Sequence, residues 1–149
     1  MKSKLLLTLL VLLLGASKID AQTEAELEKL SIFSEYVKSK NYDAAYAPWM
    51  ELRTTTPKLN KAIYIFGERI LKDKISNSEG DQKTAYILDL LKLWEERSVN
   101  FSKITPKGAY LAKASQLKYD NRNLLGESNE ILYANFDSAY NSDVKTFTN

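Results

Sequence analysis

The fold is decided by residues 41–57, which read NYDAAYAPWMELRTTTP. After Asn41, apolar residues recur at the three- and four-residue spacing of an amphipathic helix: Tyr42, Ala45, Trp49 and Leu52. The helix should end just before Pro57, because a residue that precedes proline is driven out of the α region. Pro48 lies about one turn inside this helix and predicts a mild kink rather than a break.

The rest of the chain shows the same helical pattern. Thr23 and Glu26 have the spacing of a capping box before the first apolar stripe, which comprises Leu27, Leu30, Phe33, Tyr36 and Val37. Six helices are predicted, at residues 24–39, 43–55, 57–75, 82–98, 105–119 and 129–140. The chain has only five Gly and three Pro, and no stretch alternates in polarity for long enough to predict a strand. The sequence therefore predicts an all-α fold of about six helices arranged in pairs.

The N-terminal segment has the organisation of a secretory signal peptide. Two lysines precede an apolar run at residues 5–14, which is too short to span a bilayer. Ala21 is the expected cleavage point, and a cut after Ala16 or Ser17 is the alternative. We therefore assign residues 1–21 to a signal peptide and expect a mature chain without a stable membrane anchor. The signal predicts export to the periplasm, the outer membrane surface or the medium.

Composition excludes several classes of function. The 149 residues carry a net charge of +2, but the signal segment holds three of the basic residues and one acidic residue, so the remainder is formally neutral. A nucleic-acid binder would keep a basic excess on one face. The chain has no His and no Cys, so it has no Ser-His or Cys-His pair, no usual zinc site and no disulfide.

Carboxylates offer no better starting point for catalysis. Glu95 and Glu96 are adjacent and would point about 100° apart on a helix, so they do not form a facing acid–base pair. We predict no catalytic residue, no metal site and no cofactor, and we expect the protein not to be an enzyme.

The first helix pair resembles a tetratricopeptide repeat. The aromatic, small, aromatic, apolar and proline positions of that family fall here on five residues: Tyr36, Ala45, Trp49, Leu52 and Pro57. Gly67 also fits the second repeat, but Glu79 stands where the family has a small residue. The resemblance implies stacked helical hairpins in about three degenerate repeats over residues 22–149. With the signal peptide, the chain is similar to exported tetratricopeptide-like proteins of Bacteroidetes.

The resemblance also implies where a partner would bind. In that family the first helix of each hairpin lines a concave face that holds peptides or partner proteins. Carried over by position, four residues of the second repeat would be exposed there: Lys61, Tyr64, Glu68 and Lys72. Such a basic and aromatic patch suits an acidic or C-terminal segment of a partner. The alternative is an ordinary solvated helix face.

Two functional hypotheses follow. The first is an exported protein–protein interaction scaffold that binds a protein or peptide partner and no nucleic acid. The second is an exported helical domain of the cell envelope with a glycan-binding or enzymatic role, in which some of the nine Tyr and two Trp would stack on sugars. The aromatic residues on the predicted inner helix faces favour core packing over sugar stacking.

The C-terminal residues leave two interpretations open. Residues 145–149 lie where the family would begin another helix, and no polar capping helix follows them. In the first interpretation, the chain is the N-terminal part of a longer protein or its open end is covered by a partner. A short frayed tail is the other interpretation.

Overall fold

A computed structural model describes residues 23–147. Its helices are α1 (23–38), α2 (Tyr42–Thr55), α3 (Ala62–Ser76), α4 (Gly80–Asn100), α5 (Lys107–Asp120), α6 (Arg122–Leu125) and α7 (Asn129–Ser142). One 3₁₀ turn, Ser102–Ile104, precedes α5, and these described residues contain no strand. The predicted all-α fold of helical hairpins is confirmed. The predicted signal peptide, residues 1–21, lies outside the described residues.

The described residues divide into two compact units, one that ends at Thr56 and one that begins at Pro57. The described part of the first unit is the hairpin of α1 and α2. Its helices are linked by an ion pair between Lys29 and Glu51. The buried apolar side chains of this hairpin are Phe33, Val37, Ala45, Trp49 and Leu52. All five lie on the predicted apolar stripes, with Ala45 as the small residue among the larger ones.

The turn between α1 and α2 is closed by backbone hydrogen bonds of the Schellman type. The Asn41 N–H donates to the Tyr36 carbonyl at 2.8 Å, and the Lys40 N–H donates to the Val37 carbonyl at 3.1 Å. Lys40 occupies the left-handed position with φ of 59°. The Asn41 side chain then accepts from the Ala44 N–H and caps α2, so this short turn both ends one helix and begins the next.

The second unit contains two further helix pairs. α3 packs on α4 across a three-residue connection, and α5 packs on α7, with α6 in the connection between them. The core side chains of α3 and α4 are Ile63, Tyr64, Ile70, Leu71, Ile87, Leu90, Leu93 and Trp94. The buried residues of the second pair are mostly small: Gly108, Ala112, Ser115, Leu132 and Ala139. α4 also packs on α5 and so joins the two pairs.

Two predicted helix boundaries are wrong. α3 does not begin at Pro57 but at Ala62, where the Asn60 side chain accepts from the Ala62 N–H at 2.8 Å. Residues 120–128, predicted as a loop, contain the short helix α6, and Gly126 caps its C-terminal end in the left-handed conformation with φ of 67°. In both places a short polar side chain or a glycine sets the boundary, and hydrophobic spacing does not report it.

Some residues of the predicted inner stripes face outward. Leu27, Tyr36 and Ile131 are exposed, whereas Leu132 and Ala139 form the inner face of α7. Neighbouring residues on a helix point about 100° apart. An apolar residue next to a buried one in the sequence therefore lies at the edge of the buried face or outside it. None of the helices in the described residues is long and apolar enough to cross a membrane.

Candidate partner-binding surface

Glu68 lies at the centre of a polar cluster that joins three helices of the second unit. Lys72, one turn later on α3, places its Nζ 2.7 Å from Glu68 Oε1, and Lys113 of α5 places its Nζ 3.8 Å from the same oxygen. Trp94 of α4 donates from Nε1 to Glu68 Oε2 at 3.0 Å. We call Glu68, Lys72, Trp94 and Lys113 the Glu68 cluster. The Glu68 side chain is 14% exposed, whereas both lysines are half-exposed.

The surroundings of Glu68 stabilise its ionised form. Partial burial opposes ionisation, but hydrogen bonds from Lys72 and Trp94 and the charges of Lys113 and Lys72 outweigh it, so the pKa of Glu68 lies below its ordinary value. The cluster therefore holds a fixed negative charge between two solvent-facing ammonium groups.

Tyr110 extends the cluster along α5. Two cations lie close to its ring, with Arg97 Cζ 4.8 Å and Lys113 Nζ 5.2 Å from the ring centroid. Burial raises the pKa of the Tyr110 hydroxyl, and the charge of Glu68 raises it further against the opposing effect of Arg97. Tyr110 therefore acts as a neutral aromatic platform for the cations at ordinary pH.

The four residues predicted from the family resemblance do not form one patch. Glu68 and Lys72 are in contact, while Lys61 is exposed in the turn before α3. Tyr64 was expected to be exposed, but it is buried: its hydroxyl oxygen accepts from Asn100 Nδ2 at 2.6 Å, and its ring meets Phe101 edge-on. The partner to Tyr64 comes from the far end of α4, so the local helix pattern did not reveal it.

Sequence reasoning missed Lys113 and Arg97. The two charged residues lie on different helices from Glu68, and helical spacing relates only residues on the same helix. The available signal was the position of Lys113, three residues after the aromatic residue Tyr110 and therefore beside it on a helix.

A groove between α4 and α5 lies beside the cluster. It has a volume of about 320 Å³ and is lined by Leu91, Trp94, Glu95, Ser98, Lys107, Tyr110, Leu111, Ala114 and Lys118. Its floor is apolar and aromatic, and the charged residues Glu95, Lys107 and Lys118 contribute to its lining. Lys118 also forms an ion pair with Glu127 at 3.3 Å. We call this feature the α4–α5 groove. Trp94 and Tyr110 contribute to both the groove and the surroundings of Glu68.

The arrangement is suited to binding an anionic and apolar segment. The two lysines offer ammonium donors, the groove offers apolar surface, and Glu68 is held by hydrogen bonds and ion pairs to its neighbours. Among residues 23–147, no three acidic side chains come together in a way that could hold a metal ion. Comparison with family models, curated proteins and solved structures finds no match for this chain.

Proposed function

We propose that this protein is an exported, tetratricopeptide-like interaction scaffold that binds an acidic segment of a protein partner. The observation that carries the proposal is the convergence of Lys72 and Lys113, from two helices, on one oxygen of Glu68. Two ammonium groups so close together form a place where the carboxylate of a ligand gains charge-assisted hydrogen bonds.

The lysines keep donors for such a ligand. An ammonium group has three N–H donors, and Glu68 can occupy only some of them while both side chains remain half-exposed. Trp94 holds Glu68 in place, so a ligand carboxylate would bind beside Glu68 rather than replace it. Glu68 then acts as a positioning residue that orients the two lysines.

Charge alone would give weak binding. An exposed ion pair contributes about 0–1 kcal/mol, so affinity must come from apolar contacts close to the lysines. The α4–α5 groove supplies such apolar contacts next to the lysines. Trp94 lines the groove and belongs to the Glu68 cluster, and Tyr110 lines the groove and contacts Lys113. The preferred ligand is therefore a segment that carries a carboxylate next to apolar or aromatic side chains.

Two further features support the scaffold. The helices pair as hairpins, and the first hairpin carries the family pattern at Ala45 and Trp49, both of which are buried. The N-terminal segment has the organisation of an export signal. Partners would accordingly be proteins of the cell envelope or of the surroundings.

The test is capture of partners from an envelope extract on the immobilised chain of residues 22–149. The double variant Lys72→Gln/Lys113→Gln should lose these partners, while the control Lys58→Gln/Lys103→Gln, which changes two exposed lysines elsewhere, should retain them. A recovered partner is then titrated against both variants by calorimetry. Equal affinity for the two variants would refute the lysine pair as the binding element, and the absence of any specifically retained partner would refute the scaffold.

A further inference from the structure

One end of the second unit brings four chain segments together. Asn100, the last residue of α4, donates from Nδ2 to the hydroxyl oxygen of Tyr64 in the first turn of α3 at 2.6 Å. Gly108, near the start of α5, donates from its backbone N–H to Thr146 Oγ1, which follows α7, at 3.0 Å. A short connection with one 3₁₀ turn joins α4 to α5. The start of α3, the end of α4, the start of α5 and the turn after α7 therefore lie at the same end.

This end of the unit is basic. Residues 57–61, 97–108 and 143–147 contain six Lys or Arg and one acidic residue, Asp143. The carboxylate of Asp143 is engaged within its own turn, where it accepts a hydrogen bond from Thr146 Oγ1. No ion pair within residues 23–147 engages the exposed lysines of these segments, which are Lys58, Lys61, Lys103, Lys107 and Lys145.

Exposed aliphatic side chains accompany these lysines. Val99, Ile104 and Val144 are 72%, 53% and 54% exposed. The turn that presents Ile104 is held in place, because Thr105 Oγ1 donates to the Phe101 carbonyl at 2.8 Å and the Phe101 ring meets an aromatic ring of α3 edge-on. We name this surface the basic end and define it by seven residues: Lys58, Lys61, Val99, Lys103, Ile104, Val144 and Lys145.

The nearest acidic residues of α4 do not cancel the charge of the basic end. Glu96 Oε1 lies 3.9 Å from Lys92 Nζ, so Glu96 already has a cation beside it. Glu95 lies four residues before Val99, which places it about 6 Å further from the end along the helix axis. The four lysines of the basic end therefore leave a net positive surface.

We propose that the basic end binds the surface of a bilayer that contains anionic lipids. Each lysine close to such a surface strengthens binding by about fivefold, and the aliphatic side chains add apolar burial at the level of the headgroups. The long lysine stems allow the ammonium groups to stay at the headgroups while the aliphatic side chains enter below them. Binding should be reversible, because three aliphatic side chains bury little apolar surface, and it should weaken as the salt concentration rises.

The residue types favour a lipid surface over a protein or a nucleic acid. Protein interfaces are depleted in Lys and enriched in aromatic residues and Arg, and Val is under-represented among the residues that dominate their affinity. The basic end has the opposite composition. A nucleic acid would use the lysines but would gain little from exposed Val and Ile side chains. The basic end shares no residue with the Glu68 cluster or the α4–α5 groove, so lipid binding does not depend on the partner proposed above.

Co-sedimentation of the chain of residues 22–149 with lipid vesicles tests the proposal. We expect binding to vesicles of equal parts phosphatidylglycerol and phosphatidylcholine, and much weaker binding to phosphatidylcholine alone or at high salt. Lys61→Gln/Lys103→Gln should lower the partition coefficient by about 10- to 30-fold. The control Lys83→Gln/Lys92→Gln removes two lysines from earlier turns of α4 and should change it by less than about threefold.

A second variant, Val99→Ser/Ile104→Ser, keeps every charge and removes two aliphatic side chains. It should lower the partition coefficient by about 5- to 30-fold, since the apolar burial is lost. Circular dichroism first establishes that each variant is folded. Unchanged binding of the serine variant would show that charge alone attracts the chain and would overturn the proposal. The same conclusion follows if the native chain does not bind the anionic vesicles, if both lysine variants bind equally, or if a short DNA duplex is bound more tightly than the vesicles.

Discussion

Gly108 lies where the last turn of the described chain covers the start of α5. Its N–H donates to Thr146 Oγ1 at 3.0 Å, and a Cβ at this position would come within 2.2 Å of the Asp143 carbonyl oxygen and 2.8 Å of the Phe147 nitrogen. No side chain fits this space without displacing backbone. Glycine is therefore required here by a close approach of two chain segments rather than by its own φ angle.

Gly108→Ala should destabilise the fold by about 1–3 kcal/mol, the usual cost of overpacking a closed contact. Urea unfolding followed by circular dichroism measures the change. In a chain that ends at Ser142 the contacting turn is missing, and the same substitution should be neutral or stabilise by up to about 1 kcal/mol through helix propensity. Equal destabilisation in both chain lengths would show that the turn is not the cause.

Lys40 occupies a left-handed position with φ of 59°, which a residue with a Cβ adopts at a cost of about 1–2 kcal/mol. Lys40→Gly should relieve part of this cost and raise the free energy of unfolding, since the Schellman hydrogen bonds need only the backbone. Thermal and urea unfolding measure the gain. Lys40→Ala serves as the control, because it removes the side chain but keeps the Cβ; a similar gain from alanine would contradict the conformational explanation.

Glu68 should make stability depend on pH. Its pKa is lower in the folded protein, despite the opposing effect of burial, because Lys72, Trp94 and Lys113 favour the carboxylate. A group with a lowered pKa stabilises the folded state above the unfolded pKa of about 4.3 and loses this contribution as the pH falls through the folded pKa. The ion pairs are partly solvated, which reduces the effect.

We therefore expect Glu68→Gln to lower the urea midpoint near neutral pH and to reduce the further loss of stability on going below about pH 4. Urea titrations at both pH values measure the difference, with Glu95→Gln as the control for an exposed carboxylate of the same unit. A parallel decline in the native chain and Glu68→Gln would rule out Glu68 as a source of the pH dependence.

Sequence alone placed only part of the candidate site at the residue scale. Glu68 and Lys72 were identified by the positions that the family resemblance gives them on the first helix of the second repeat, and they are in contact because they lie one turn apart on that helix. Lys113 was missed, and Tyr64 was assigned to the wrong environment, because their contacts come from helices far away in the chain. Such contacts depend on the rotation of each helix about its axis, and the apolar stripe defines that rotation only approximately.

At the scale of elements, α2 passes through Pro48 without a break. Proline has no N–H and cannot donate to the carbonyl one turn earlier, so it costs about 3 kcal/mol inside a helix relative to alanine. Pro48→Ala should therefore stabilise the protein by about 1–3 kcal/mol. Differential scanning calorimetry measures the change in melting temperature, with Pro57→Ala outside the helix as the control. A lower melting temperature for Pro48→Ala would mean that the proline ring itself packs favourably.

The helical elements were largely predictable, and their ends were less so. Long apolar stripes identified α1 to α5 and α7, since a period of 3.6 over three or more turns is a strong signal. α6 spans only Arg122–Leu125 and is too short to show a period. The start of α3 was misplaced because Pro57 is a common first-turn residue, yet the Asn60 side chain provides a competing cap for the Ala62 N–H.

For the whole molecule, the net charge comes from the N-terminal residues 1–21, the predicted signal peptide. The net charge of +2 belongs to residues 1–21, and the rest of the chain has as many acidic as basic residues. Binding by overall charge is then weak, and recognition must come from local arrangements of charge. The Glu68 cluster with its two half-exposed lysines is such an arrangement.

Cleavage of the predicted signal peptide is the remaining prediction for the whole molecule. Expression of the full chain in a bacterial host should give an exported product that begins at Gln22, because Ala21 is a small residue at the end of the polar stretch after the apolar run. Intact mass spectrometry of the periplasmic fraction identifies the first residue, and a product cut after Ala16 or Ser17 would be heavier by the intervening residues. Replacement of Leu9 and Leu10 by Lys interrupts the apolar run and should keep the uncleaved chain in the cytoplasm. If that variant is still exported and shortened as the native chain is, the assignment of residues 1–21 as a signal peptide is wrong.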